Sequence, residues 1–97
     1  MKPYEFHPQA LEEIDDSISF YSDRQPGLGK RFLKALDAAI LKIRINPLLY
    51  PKIADEIRIC RLPRFPFGII YRIGDERIEI VAVMHLKRKP GYWKTRT

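Results

Sequence analysis

Phe65–Met84, FPFGIIYRIGDERIEIVAVM, is the stretch that decides the fold. Phe65, Phe67, Ile69, Tyr71 and Ile73 alternate, so in an extended strand their side chains share one face. Gly74-Asp75-Glu76-Arg77 is a polar, glycine-led break of the kind that reverses a strand. Ile78, Ile80, Ala82 and Met84 then alternate again, with Val81 and Val83 filling the opposite face. That pattern predicts a second strand buried on both sides and internal to a sheet. A hairpin alone is marginal in water, so the remaining chain has to supply further strands and a covering layer.

The flanking sequence reads as both. Tyr4–Phe6 is short and aromatic at its ends, consistent with a brief edge strand. Pro8 suits a first helical turn, and Leu11, Ile14, Ile18 and Tyr21 follow at helical spacing. The acidic residues between them, Glu12, Glu13, Asp15 and Asp16, read as a solvated face near the positive end of the helix. No apolar pocket is evident there to raise a carboxyl pKa for catalysis. Gln25–Gly29 breaks the pattern, and a second helix carries Phe32, Leu36, Ala39, Ile40 and Ile43 on one stripe. It ends at Asn46-Pro47, because the residue before proline is pushed out of helical geometry.

Gly27 and Gly29 do not make a phosphate loop, since no strand precedes them and Lys30 lacks a following Ser or Thr. Leu48–Asp55 reads as a loop and Glu56–Leu62 as a strand, with Pro63 and Pro66 bracketing the turn into the hairpin. The expected fold is α+β. A short N-terminal strand and a three-stranded antiparallel meander form one sheet, covered by an antiparallel helical hairpin. Phe32, Leu36, Ile40 and Ile43 are expected to pack on Phe67, Ile69, Tyr71, Ile80 and Ala82.

The chain of 97 residues suits one domain, 1–97, with one modest core. No run approaches the ~18 apolar residues of a membrane span. Glu5, His7 and Pro8 interrupt any signal-peptide pattern. Cys60 is the single cysteine, which leaves no internal disulfide or metal cluster and suits the cytoplasm. No cofactor is expected. Net charge is +6, and it is unevenly spread. Residues 1–23 hold Lys2 against six acids, whereas Lys87, Arg88, Lys89, Lys94 and Arg96 follow Met84 with no acid among them. Such polarity favours an acidic partner, whether nucleic acid or protein; a merely solvated surface is the alternative.

In that last segment basic residues alternate with Tyr92 and Trp93. The composition can bind phosphates while stacking on bases. It can equally dock on an acidic protein surface with Arg and Trp as anchors, or fold Tyr92 and Trp93 back on the sheet while the charges stay wet. His85 closes the hairpin. As a general base it would need a reachable substrate proton and a partner to fix its tautomer. Metal-free RNA cleavage would add a cation on the phosphate and a proton donor, for which Arg58, Arg61, Arg64, Arg72 and Tyr92 qualify by type. A histidine that only ends a strand is the competing reading.

The ordered set FYSDRQPGLGKRF, INPLLYP, RLPRFPFGIIYRI and AVMHLKRKPGYWKTR resembles the RelE/ParE superfamily of bacterial toxins across nearly the whole chain. The resemblance implies the toxin of a type II, plasmid-stabilisation type toxin–antitoxin system, neutralised by a cognate antitoxin whose acidic or amphipathic tail wraps it. RelE-type members cut messenger RNA on the ribosome without a metal; ParE-type members share the scaffold and poison DNA gyrase. Ribonuclease members place an arginine directly before the apolar pair and tyrosine of the third strand, where this chain has Gly68. They often carry another Arg or His just after the last strand, near Leu86 and Lys87. Tyr92 matches a catalytic tyrosine in that comparison. The missing arginine tilts the expectation to gyrase inhibition, with ribosome-dependent mRNA cleavage as the alternative. If the chain is a ribonuclease, His85, Arg61, Arg72 and Tyr92 are the catalytic candidates. Arg58, Arg61, Arg64, His85, Lys87, Arg88, Tyr92, Trp93 and Arg96 are the candidates for binding target or antitoxin.

Overall fold

The computed structural model describes Met1–Thr97. The elements are β1 (Tyr4–Phe6), α1 (Pro8–Arg24), α2 (Leu28–Ile45), β2 (Lys52–Ala54), β3 (Ile57–Arg61), β4 (Phe67–Ile73) and β5 (Ile78–His85), followed by a short 3-10 helix over Tyr92–Arg96. One five-stranded sheet has the order β1-β5-β4-β3-β2. β2 to β5 run as an antiparallel meander, while β1 pairs with β5 in parallel. The sheet is therefore mixed at one edge, and Lys52–Ala54 adds an edge strand inside what reads locally as a loop.

Only Gln25, Pro26 and Gly27 separate the helices, so α1 and α2 lie antiparallel on one face of the sheet. Gly29 sits within α2 where the helices cross. A Cβ there would come within 2.1 Å of Ser22 Oγ and 2.8 Å of the Ile18 carbonyl oxygen. Between helices and sheet, Phe32 packs edge-on to Phe65 and Phe67, with Tyr21 completing the aromatic cluster. Leu36, Ile40 and Ile43 continue the same core over Cys60, Leu62, Ile69, Tyr71, Ile78 and Ile80. On α1, Ala10 and Ile14 are the buried residues, whereas Leu11 is 47% exposed. Ile14, Ile18 and Tyr21 of the expected stripe do pack on the core, and only its first position shifts, from Leu11 to Ala10.

The second strand of the hairpin departs from strict alternation. Tyr71 pairs with Ile80 and Ile70 with Ala82, which leaves Val81 as an extra residue in β5. Such a bulge exchanges the faces of every side chain after it. Ile78, Ile80 and Val83 accordingly face the helices. Val81, Ala82 and Met84 join Ile57, Ile59, Ile70 and Trp93 in a second core on the other face. Ala82 therefore does not meet the α2 stripe, contrary to the expectation from periodicity.

Candidate functional site

Beyond His85 the chain turns through Leu86–Pro90. Gly91 at φ 80° then admits the 3-10 helix, which folds back over the sheet face that α1 and α2 leave open. Trp93 is the anchor of this return, only 3% exposed among Ile57, Ile59, Ile70, Val81, Ala82 and Met84. Its indole stabilises the segment by burial, while Lys87, Arg88, Lys89 and Lys94 remain in water around it.

A carboxylate from the far end of the chain fastens the segment. Glu13 on α1 is 11% exposed. Its Oε1 accepts hydrogen bonds from Arg96 Nη1 at 2.9 Å and from the Val83 backbone N–H at 3.0 Å. Its Oε2 accepts from the Tyr92 hydroxyl at 2.5 Å, from Arg96 Nη2 at 3.1 Å and from Arg88 Nη1 at 3.2 Å. Arg96 also donates to the Val81 carbonyl at 3.2 Å. β1 stops at Phe6, opposite Ile80, so β5 would otherwise present unpaired backbone groups at Val81 and Val83. The Glu13 carboxylate and the Arg96 guanidinium take the place of the missing strand. Arg88 and Arg96 lie 3.7 and 5.0 Å from the Tyr92 ring centroid. Burial, reinforced by the Glu13 carboxylate, drives the Tyr92 pKa well above the ordinary phenol range.

The basic candidates fall into distinct places. Arg61 ends β3 on the open face and lines a shallow groove with Ile53, Met84, Pro90 and Trp93. Arg72 lies at the other end of β4 and pairs across strands with Glu79. Arg58 faces the helix side, where it donates to the carbonyl oxygens of Tyr50 at 2.6 Å and Leu48 at 3.3 Å. The Tyr71 hydroxyl donates to Pro47 O at 2.5 Å, so Arg58 and Tyr71 together fix the connection after α2. Burial pushes the Tyr71 phenol up to about 12. Arg64, at φ 68°, caps the β3–β4 turn next to α2.

His85 lies on the helix face, against Phe67 at 5.1 Å between ring centroids and beside Phe20 and Tyr21. Its Nδ1 accepts the Lys87 backbone N–H at 3.1 Å, which in neutral imidazole leaves the proton on Nε2. The sheet therefore stands between His85 and Arg61. Gly68 pairs with Arg61 and Met84, and a Cβ there would come within 2.6 Å of Ile59 Cδ1 and 3.4 Å of Leu86 Cδ2. The open-face position where ribonucleases of the resembling superfamily carry arginine is filled by Ile59.

Tyr92, Arg88 and Arg96 thus converge, but on Glu13, a residue that the sequence places in a solvated acidic run. The only local signal for Glu13 is its position one residue before the buried Ile14, at the border of the apolar stripe. Its partners are 70 to 83 positions away in sequence.

Residues 4–90 match the family model described as ParE toxin of type II toxin-antitoxin system, parDE. The fold is similar to that of a chain from the chromosomal ParDE toxin–antitoxin system of P. aeruginosa. The two superpose with a TM-score of 0.65 at 17% sequence identity, over 90% of this chain and 98% of that one. No curated protein sequence matches. The chain belongs to the ParE toxin family of type II toxin–antitoxin systems.

Proposed function

We propose that this toxin arrests growth in the cytoplasm by binding DNA gyrase, and that a cognate antitoxin neutralises it. The observation that carries this reading is the separation of the groups that acid–base cleavage of RNA would need. His85 faces the helices, Arg61 the opposite side of the sheet, and the room beside Gly68 is taken by Ile59. The Tyr92 hydroxyl is engaged with Glu13. A phosphate held near Arg61 would meet no general base, and the β4 residue opposite Arg61 is Gly68, which brings no cation.

What the open face offers instead is a shallow apolar groove bordered by the solvated cations Arg61 and Lys94. A charged rim about an apolar centre is the pattern of a protein-binding surface. Binding energy in such a surface is concentrated in a few anchors and is lost in steps as they are removed.

The test is a supercoiling assay with purified gyrase, run beside transcript-end mapping after induction in cells. Inhibition of supercoiling, DNA breaks and an SOS response are expected, with graded loss on Arg61→Ala and Lys94→Ala. His85→Gln should leave growth arrest nearly intact. Messages cut at codon boundaries, with ends that disappear in His85→Gln and no DNA breaks, would establish the ribosomal nuclease reading instead.

A further inference from the structure

The open-face groove has two walls of different origin. Ile59, Arg61 and Met84 come from the sheet, whereas Pro90, Trp93 and Lys94 come from the C-terminal segment. No backbone hydrogen bond ties Gly91–Thr97 to a strand; Lys94 N donates to Gly91 O and Thr97 N to Lys94 O, both within the segment. The second wall is therefore held by side chains alone, Trp93 in the second core and Tyr92, Arg88 and Arg96 on Glu13. A segment with no share in the sheet ladder opens at lower cost than the strands beneath it.

Glu13 is placed to hold this wall and not to bind a target. Its two oxygens already receive five hydrogen bonds, and a carboxylate offers about four lone-pair sites. No acceptor capacity is left for a donor on a target, and at 11% exposure the side chain is shielded from one. Its neighbours Glu12, Asp15 and Asp16 are exposed and form no ion pair, so Glu13 alone among them reaches the segment. It is also the only acid paired with Arg88 and Arg96, two like charges that meet around the Tyr92 ring. We infer that Glu13 is a positioning residue for the target-binding groove: from α1 it sets the wall that Trp93 and Lys94 present, without touching the target. The inference rests on the reading of that groove as the target surface, and it holds whichever target the toxin has.

Trp93 is the only tryptophan in the chain, so its fluorescence reports the segment directly. The experiment measures acrylamide quenching of Trp93 beside potency. Potency is read as growth arrest in cells at matched protein levels and as inhibition of supercoiling by purified gyrase. Glu13→Gln keeps the side-chain size and one acceptor oxygen. It should expose Trp93 to the quencher and weaken potency by roughly tenfold or more, as loss of an anchor does. Tyr92→Phe removes one of the five bonds and should fall between wild type and Glu13→Gln in both readouts; as the milder change, it decides the same question should Glu13→Gln unfold. Leu36→Ala, in the helix-side core, should stay within about twofold of wild type in both while it remains folded. An equal loss of potency in Leu36→Ala would reduce the effect to stability and overturn the inference. Potency lost with Trp93 still protected would make Glu13 a direct contact, and potency kept with Trp93 exposed would free the groove from the segment. Neither readout moving would leave Trp93 as the sole anchor. Each of these results overturns the inference. A wild-type chain that arrests growth without inhibiting gyrase removes the gyrase reading alone, because growth arrest set against Trp93 quenching still decides the role of Glu13.

Discussion

Ile59 and Glu13 each do something that their neighbours in sequence do not announce. The Ile59 side chain occupies the space beside Gly68, so a larger residue there must displace it. Gly68→Ala should cost about 1–3 kcal/mol in urea unfolding, the range for overpacking, and Ile59→Ala in the same chain should relieve part of that cost. Simple additivity of the two changes would mean that the contact is not the cause. Glu13 is the larger effect. Arg96 is 6% exposed, so Glu13→Ala strands a buried guanidinium and the Val83 backbone N–H of β5. A loss of about 3 kcal/mol is expected, with faster tryptic cleavage after Lys87, Arg88 and Lys94. Glu13→Gln keeps the acceptor on one oxygen and should fall between wild type and Ala. Unchanged stability and unchanged cleavage would show that Trp93 alone holds the segment.

At the scale of the elements, the bulge at Val81 has the widest consequences. Without it, Met84 would face α1 and α2, and His85 would share the open face with Arg61. With it, Met84 packs toward Trp93 and His85 toward Phe20 and Tyr21. One added residue thus separates the two groups whose meeting a nuclease would need. Double-mutant cycles read this directly. Met84→Ala and Trp93→Phe should couple by about 0.5–3 kcal/mol, while Met84→Ala and Leu36→Ala should be additive within about 0.5 kcal/mol. The reverse pattern would place Met84 on the helix face, with no bulge at Val81. Leu36→Ala by itself should cost ~2–5 kcal/mol, as a fully buried side chain under the helical layer.

For the molecule as a whole, each of the two cores holds a phenol whose titration burial shifts upward. Tyr71 and Tyr92 are both held neutral by burial, one beneath the helices and the other over the open face. Their folded pKa values lie above the unfolded value of 10.0, so their contribution to stability is complete below that pH. It is lost as pH rises through the folded value, about 12 for Tyr71. Equilibrium unfolding followed against pH should therefore stay level up to pH 10 and then decline. Tyr92→Phe should reduce the decline. A decline already complete below pH 9 would show that these phenols are not protected.

Sequence alone determined both helices, the strands of the central hairpin and the apolar faces of α2 and β4. The alternation in Phe67–Ile73, the stripe from Phe32 to Ile43 and the proline after Asn46 act through neighbours a few residues apart, and local sterics fix them. The family resemblance was equally legible, because it rests on an ordered set of short stretches. Tertiary structure decided the rest. Glu13 finds its partners 70 to 83 positions away, β1 joins β5 in parallel only after the helical hairpin has returned the chain, and the bulge depends on which pairing packs both faces. A single β-strand carries the same residues with or without a bulge. Only the competition between two cores, one under α1 and α2 and one under Trp93, selects the register that places His85 and Arg61 on opposite sides of the sheet.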